Sequence, residues 1–246
     1  MTFDDLLRLL GERAGVFRAV VAAAPSLDVT VPSCPEWTLF DLVVHLGEGR
    51  RRWAATVAAG PADGPAEVDV PPAPRERDAL LAWYDESVRQ LLDALRAAGP
   101  DRGCWTWWST SQSPETAGAV ARHQLQQMAV HTYDAQLAVG DAQPLPDDVA
   151  RDGVDEFLRT CVATASPWPH EPATLEYRIP GGDAWRLELS AAGARVSTPQ
   201  GEPVDLRGLG TANELVMSFY GRIPLETLTL EGDRRVLDRL VAWEPA

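Results

Sequence analysis

Lysine is absent from this chain: all 22 basic residues are arginines. With no amine on any side chain, Schiff-base catalysis, pyridoxal-phosphate attachment and the lysine of a P-loop are excluded together. Cysteine is scarce. Cys34, Cys104 and Cys161 are odd in number and form no Cys-x-x-Cys pair, which argues against a disulfide framework or a thiolate zinc knuckle. Positive charge is in deficit. A formal net charge of -14 makes nucleic acid and anionic membrane surfaces poor partners for the chain as a whole, although Arg50-Arg51-Arg52 is a local anion-binding candidate. No stretch approaches the ~20 apolar residues of a bilayer span. Acidic Asp4 and Asp5, with no apolar run of signal length, leave no export signal. The expectation is a protein of the reducing cytoplasm, monomeric or homodimeric, with neither nucleic acid nor membrane as partner. A Gly-x-Ser-x-Gly elbow and a His-Glu-x-x-His helix are also missing, and Gly208-Leu209-Gly210 is too short for a dinucleotide fingerprint.

What is present is mostly helical periodicity. Phe3, Leu6, Leu7, Leu10, Ala14, Phe17 and Val21 predict a helix over residues 3–24, capped by Thr2 and ended by Pro25. The connection that follows, with Pro32 and Pro35 close together, presets an extended path. A second helix, 38–59, opens on a Thr38/Asp41 capping arrangement, with Trp37 and Leu42 placed as a hydrophobic staple. After a linker rich in Pro, Gly and acids come helices over 76–98, 114–139 and 147–164, with an aromatic loop, Cys104 to Ser109, before the second of these. Such helices predict an antiparallel bundle. Beyond Ser166–Pro172 the pattern changes to alternation: a hairpin over 174–179 and 185–189, short strands at 194–197, 204–206 and 227–230, and helices after Thr211 and over 233–243. The fold class is α+β, with a helical bundle over 1–165, a linker over 166–173 and a small α+β domain over 174–246.

The chemistry gathers around one helix. Gln124, Gln127, His131 and Asp134 recur at i, i+3, i+7 and i+10 and form a polar stripe beside the apolar row Leu125, Met128, Thr132, Ala135 and Val139. That is how a bundle lines an internal site. On the second helix Asp41, His45, Glu48 and Arg52 form a matching stripe. His45 and His131 can meet in an antiparallel bundle, whereas His123 lies ~12 Å along and ~80° round from His131 and cannot share a metal with it on a straight helix. Two histidines need a third ligand. Gln127, one turn before His131, faces the same spot with a weak, neutral amide, and Glu48 and Asp134 are alternative carboxylates. A histidine beside an apolar face is equally what a hydrogen-bonded core residue looks like. Cys34 reads as a nucleophile without a nearby histidine in sequence, or as a structural thiol. Trp105, Trp107 and Trp108 read either as the wall of a ligand cleft or as rings that pin a loop to the bundle.

Val31-Pro32-Ser33-Cys34-Pro35-Glu36-Trp37-Thr38, followed by Asp41-Leu42-Val43 and His45-Leu46-Gly47, resembles the opening signature of the mycothiol-dependent maleylpyruvate isomerase family, within the DinB-like superfamily of four-helix metal proteins. Ala129 to Ala135 resembles its second signature. Leu215 to Arg222 and Glu231-Gly232-Asp233 resemble its small C-terminal domain, whose fold is like a sterol-carrier module. The resemblance implies an enzyme that adds a thiolate to a small electrophile, as an isomerase if the thiol leaves again after bond rotation or an S-transferase if it stays. It implies two cofactors, a divalent metal, usually zinc, and mycothiol as the low-molecular-weight thiol. The family's metal is held by one histidine on the second helix and a Glu-x-x-x-His pair on the fourth. His45 and His131 match, and Gln127 stands where the glutamate belongs. The resemblance also implies that Arg222 of the Gly221-Arg222 pair clamps a carboxylate. Glu48 is the other candidate for the reaction, and Arg52, Asp134 and Trp108 are the candidates for facing the cofactor. The alternative left open by Gln127 is a metal-free member: a small-molecule binding or regulatory module, or a specialised-metabolism enzyme acting on a thiol conjugate.

Overall fold

The computed structural model describes residues 1–245. The chain divides into two compact units: Met1–Trp107 with Glu115–Leu145, and Trp108–Pro114 with the chain from Pro146 onward.

The first unit is built on four helices, α1 (Phe3–Ala23), α2 (Leu39–Ala59), α3 (Arg77–Ala98) and α4 (Ala117–Ala138). The first two start on capping boxes. Thr2 accepts from the Asp5 amide while the Asp5 carboxylate accepts from the Thr2 amide, and Thr38 and Asp41 repeat the arrangement. Reciprocal capping satisfies two amide donors that a helix start leaves open. α1 packs on α4 and α2 on α3. The core is drawn from the periodic apolar positions: Leu10, Phe17 and Val21, Leu42 and Val57, Leu80, Tyr84 and Leu91, Leu125 and Met128 are all sealed from solvent. Full burial of each such side chain contributes roughly 1.5–3 kcal/mol. Between α1 and α2 the Pro-rich connection forms a two-stranded ribbon, β1 (Thr30–Val31) and β2 (Cys34–Thr38), with Pro32 and Ser33 at its turn.

Helices α2 and α3 touch at one close point. A Cβ on Gly47 would lie 2.0 Å from the Trp83 ring. Arg51, one turn further on, lays its guanidinium over that ring, 4.1 Å from the centroid. It donates to the Trp83 carbonyl at 2.6 Å and the Gly47 carbonyl at 3.0 Å. The missing side chain at 47 is what lets an indole and a guanidinium stack between the two backbones.

The second unit carries a five-stranded sheet in the order β5-β4-β3-β6-β7. Its strands are β3 (Ala173–Arg178), β4 (Ala184–Ser190), β5 (Gly193–Ser197), β6 (Leu206–Leu209) and β7 (Thr229–Gly232). β3 and β6 are parallel and the other neighbours antiparallel. Its helices are α5 (Asp147–Phe157), α6 (Ala212–Phe219) and α7 (Arg234–Ala242), with α5 packed on α6. Two expectations change here. The fifth helix does not run evenly to Thr164: after Phe157 it widens into a π-helical turn, Leu158–Val162, closed by the Ala163 amide on the Leu158 carbonyl at 2.8 Å. The strand expected at 204–206 lies at Leu206–Leu209, through a glycine that local propensity reads as a breaker. A Cβ on Gly208 would come within 3.1 Å of the Tyr177 ring on β3, so the strand passes that ring because it has no side chain there. No helix among the described residues is long and apolar enough to cross a membrane.

Alanine is the better helix former by ~1 kcal/mol, so a Gly47→Ala exchange would ordinarily stabilise α2. Here the Trp83 contact reverses the sign: a loss of about 1–3 kcal/mol is expected from overpacking, read as a lower urea midpoint at unchanged m-value. A raised midpoint would show that the two helices separate freely at this point.

Candidate functional site

α4 is the helix around which the first unit closes. His123, Gln124, Gln126, His131, Thr132 and Asp134 are all buried, along with its apolar row. The polar stripe is therefore inside, but it is wider than spacing alone indicated, since His123 and Gln126 are buried too. Each buried polar group needs a partner. Thr132 returns its hydroxyl to the Met128 carbonyl at 2.7 Å. His123 packs edge-on against Trp107, with centroids 5.6 Å apart. Trp105 lies against Trp53 of α2 at 6.2 Å, so these two rings of the aromatic loop pin it to the bundle.

His131 is fixed from behind. Its Nδ1 lies 2.8 Å from Asp134 Oδ2, and Ser33, at the ribbon turn, donates to Asp134 Oδ1 at 2.5 Å. An ionised carboxylate only accepts, so Nδ1 carries the proton and Nε2 is left as the lone-pair nitrogen. A carboxylate behind an imidazole fixes the orientation of the ring, as outer-shell partners of metal-bound histidines do. Asp134 is wholly buried and faces His131 and Ser33. That geometry gives it a positioning place and not the cofactor-facing one expected from sequence.

His45 arrives from α2. Its ring centroid is 5.3 Å from that of His131, with the planes at 78°, and 4.8 Å from the Trp37 ring. The His45 pKa falls from the usual range to about 4, first because the ring is partly enclosed, then because His131 and Arg50 oppose a further positive charge. The residue still has an exposed edge, where solvent screens part of that effect. The ring is neutral at pH 7, with a lone pair to offer.

Arg50 is a feature the sequence misplaced. Read there as one of a local run of cations, it is 2% exposed. Its guanidinium lies over the Tyr84 ring, 4.7 Å from the centroid, and touches Met128 Sδ; its Nη1 has no hydrogen-bond partner among the described residues.

The other sequence candidates fall as follows. Gln127 is half-buried on α4 one turn before His131. Glu48 and Arg52 pair with each other across one turn of α2 at 2.8 Å, so the carboxylate is engaged at the helix surface. Trp108 is 2% exposed and donates its indole N–H to the Pro114 carbonyl at 3.2 Å; a ring so enclosed presents no face to a cofactor. Trp108 and Arg222 both belong to the second unit, where Arg222 donates to the Tyr220 carbonyl at 2.7 Å. Ser33 was not singled out from sequence, because nothing local marks a serine that bonds to a residue 101 positions away.

No group of three or more His, Cys, Asp or Glu side chains among the described residues is placed to hold a metal ion. The available donors are the imidazoles of His45 and His131, with the amide of Gln127 one helical turn away. Such a set suits a divalent ion whose anionic ligand comes from a bound molecule.

A bundle with a histidine pair between two of its helices, followed by a mixed-sheet unit, is a defined class of protein. Residues 7–136 match the Mycothiol maleylpyruvate isomerase N-terminal domain, and residues 148–239 match the MDMPI C-terminal domain. The chain belongs to the mycothiol-dependent maleylpyruvate isomerase family. Among solved structures it is similar to the mycothiol-dependent maleylpyruvate isomerase, at 15% identity and a TM-score of 0.60 over 94% of this chain and 93% of that one. It is similarly related to a histidine-to-alanine mutant of that enzyme, at 14% identity and a TM-score of 0.60 with the same coverage. At such identity these likenesses establish the fold. No curated protein matches the chain.

Removing the carboxylate behind His131 leaves two donors unanswered in the interior. Asp134→Ala is expected to cost about 2 kcal/mol or more and Ser33→Ala about 1 kcal/mol, measured by chemical denaturation. Equal stabilities for wild type and Asp134→Ala would show that the pair is not formed in solution.

Proposed function

We propose that the chain is a mycothiol-using isomerase or S-transferase acting on a small electrophile, with a divalent metal, zinc in the first instance, held by His45, His131 and Gln127. The observation that carries this reading is the meeting of two imidazoles from different helices, 5.3 Å between centroids, with the far nitrogen of one locked by a buried carboxylate. The family relationship supports the thiol.

A divalent ion held by His45, His131 and Gln127 would lower the pKa of a coordinated thiol and so favour the thiolate at neutral pH. The chain's own residues set the stage for that. Asp134 and Ser33 hold the His131 ring in one tautomer and one orientation. His45 stays neutral first because its ring is partly enclosed and then because of the neighbouring His131 and Arg50. Trp37 shields one side of the His45 ring. Gln127 in place of an acid leaves the donor set without a protein anion, so the negative charge would have to come from the thiolate. The thiolate would add to an electrophilic carbon of the substrate, the displaced π pair taking up a proton or re-forming the double bond as the sulfur leaves. If the C–S bond breaks again after rotation about the neighbouring bond, the outcome is isomerisation; if it persists, it is S-transfer. Neither path requires an oxidant. Arg222 is assigned to hold a carboxylate, as the only fork-shaped cation in the family's Gly-Arg pair. Glu48 and Arg52, paired with each other, are not needed in this account.

A second reading is favoured by Arg50, a buried cation beside a donor set with no anionic ligand. In that reading the hollow takes an anion without metal, and the protein is a binding module or a metal-free thiol-conjugate enzyme.

Zinc titration by calorimetry separates the two. The metal reading expects one site, abolished in His45→Ala and His131→Ala and tightened at least tenfold by Gln127→Glu, because a carboxylate replaces an amide. Thermal stabilisation by mycothiol that is indifferent to chelator, together with no zinc uptake by Gln127→Glu, would favour the metal-free reading.

A further inference from the structure

The second unit contains a cavity of about 740 Å³ that the histidine pair does not explain. Its size is that of pockets which enclose a drug-sized molecule. α7 forms one wall with Leu237, Leu240 and Val241, and the π-helical turn forms another with Leu158, Cys161 and Val162. Such turns occur frequently at functional sites. Val241 lines the cavity and is nevertheless 66% exposed, an apolar side chain in water that a hydrocarbon body would cover.

The ionisable groups of the lining offer nothing to a charged ligand. Burial pushes the Cys161 thiol and the Tyr177 phenol well above their usual ranges, so both stay protonated and neutral. Arg222 is the one charged residue among the described lining, and it is already engaged, donating to the Tyr220 carbonyl at 2.7 Å among its contacts. Ser218 is different. It lines the cavity, is 5% exposed, and its hydroxyl has no hydrogen-bond partner among the described residues. A buried hydroxyl left so costs about 1–3 kcal/mol. A carboxylate entering here would shed its hydration against apolar walls with no unengaged cation to receive it. A bare hydrocarbon would fit the walls and leave the hydroxyl as it is. A neutral molecule with one oxygen acceptor answers both.

We infer that this cavity binds a neutral, mainly hydrocarbon molecule carrying a single oxygen acceptor, as in a ketone or an alcohol. The oxygen accepts from the Ser218 hydroxyl, and the body lies along α7 and the π-helical turn. Neither metal, thiol nor any role for Arg222 enters this assignment, so it stands apart from the preceding section.

Calorimetry on the full chain at pH 7, with octan-2-one, butylbenzene and octanoate as probes, tests it. Octan-2-one is expected to bind saturably at one site, and octanoate about tenfold more weakly or worse. Ser218→Ala should weaken octan-2-one about fivefold and leave butylbenzene no weaker than in the wild type. Leu240→Trp, which fills the space with an indole, should abolish binding of both neutral probes; Val241→Trp, at a position already exposed, serves the same purpose if that variant does not fold. His45→Ala should bind octan-2-one as the wild type does. Absence of octan-2-one binding, octanoate binding as tight as the ketone, or equal affinities for the ketone in wild type and Ser218→Ala would each overturn the assignment. So would loss of ketone binding in His45→Ala, which would place the ligand at the histidine pair.

Discussion

A helix buried on most of its circumference has to satisfy its polar side chains inside the protein, and at His131 and Asp134 α4 does so with its own residues and one serine from the ribbon. Asp134 is the pivot. It receives His131 from one turn back along the same helix and Ser33 from the β1–β2 turn, and it is itself sealed from solvent. Burying a carboxylate without donors is costly, so the ribbon, the helix and the imidazole hold one another in place. The orientation of His131 is therefore a result of folding and does not await a ligand.

The electrostatics of the hollow follow from what surrounds that pair. His45 is kept neutral, Arg50 is buried as a cation over Tyr84, and Gln127 contributes a dipole where an acid would contribute a charge. Asp134 is turned toward the far side of His131.

Much of the architecture was legible because it is periodic. The four bundle helices, the Thr38/Asp41 cap and the alternation of the sheet strands are local patterns, and the structure places them within a few residues of expectation. The meeting of His45 and His131 was legible as well, since both flank apolar rows on helices of one bundle. What sequence could not supply was tertiary. Ser33 and Asp134 are far apart along the chain. Arg50 sits in a triplet of arginines, of which Arg50 and Arg51 turn inward and Arg52 outward, and composition does not distinguish them. Gly208 reads as a break until the Tyr177 ring opposite it is known. Glu48 appeared free for chemistry because its partner, Arg52, appeared free too.

Trp37 occupies the position just before the Thr38 cap, where a bulky apolar residue fixes the angle at which the chain enters α2, and its indole also lies against the imidazole of His45. One indole thus ties the entry of the helix to the setting of the imidazole it carries, so a change at that ring would disturb both places together.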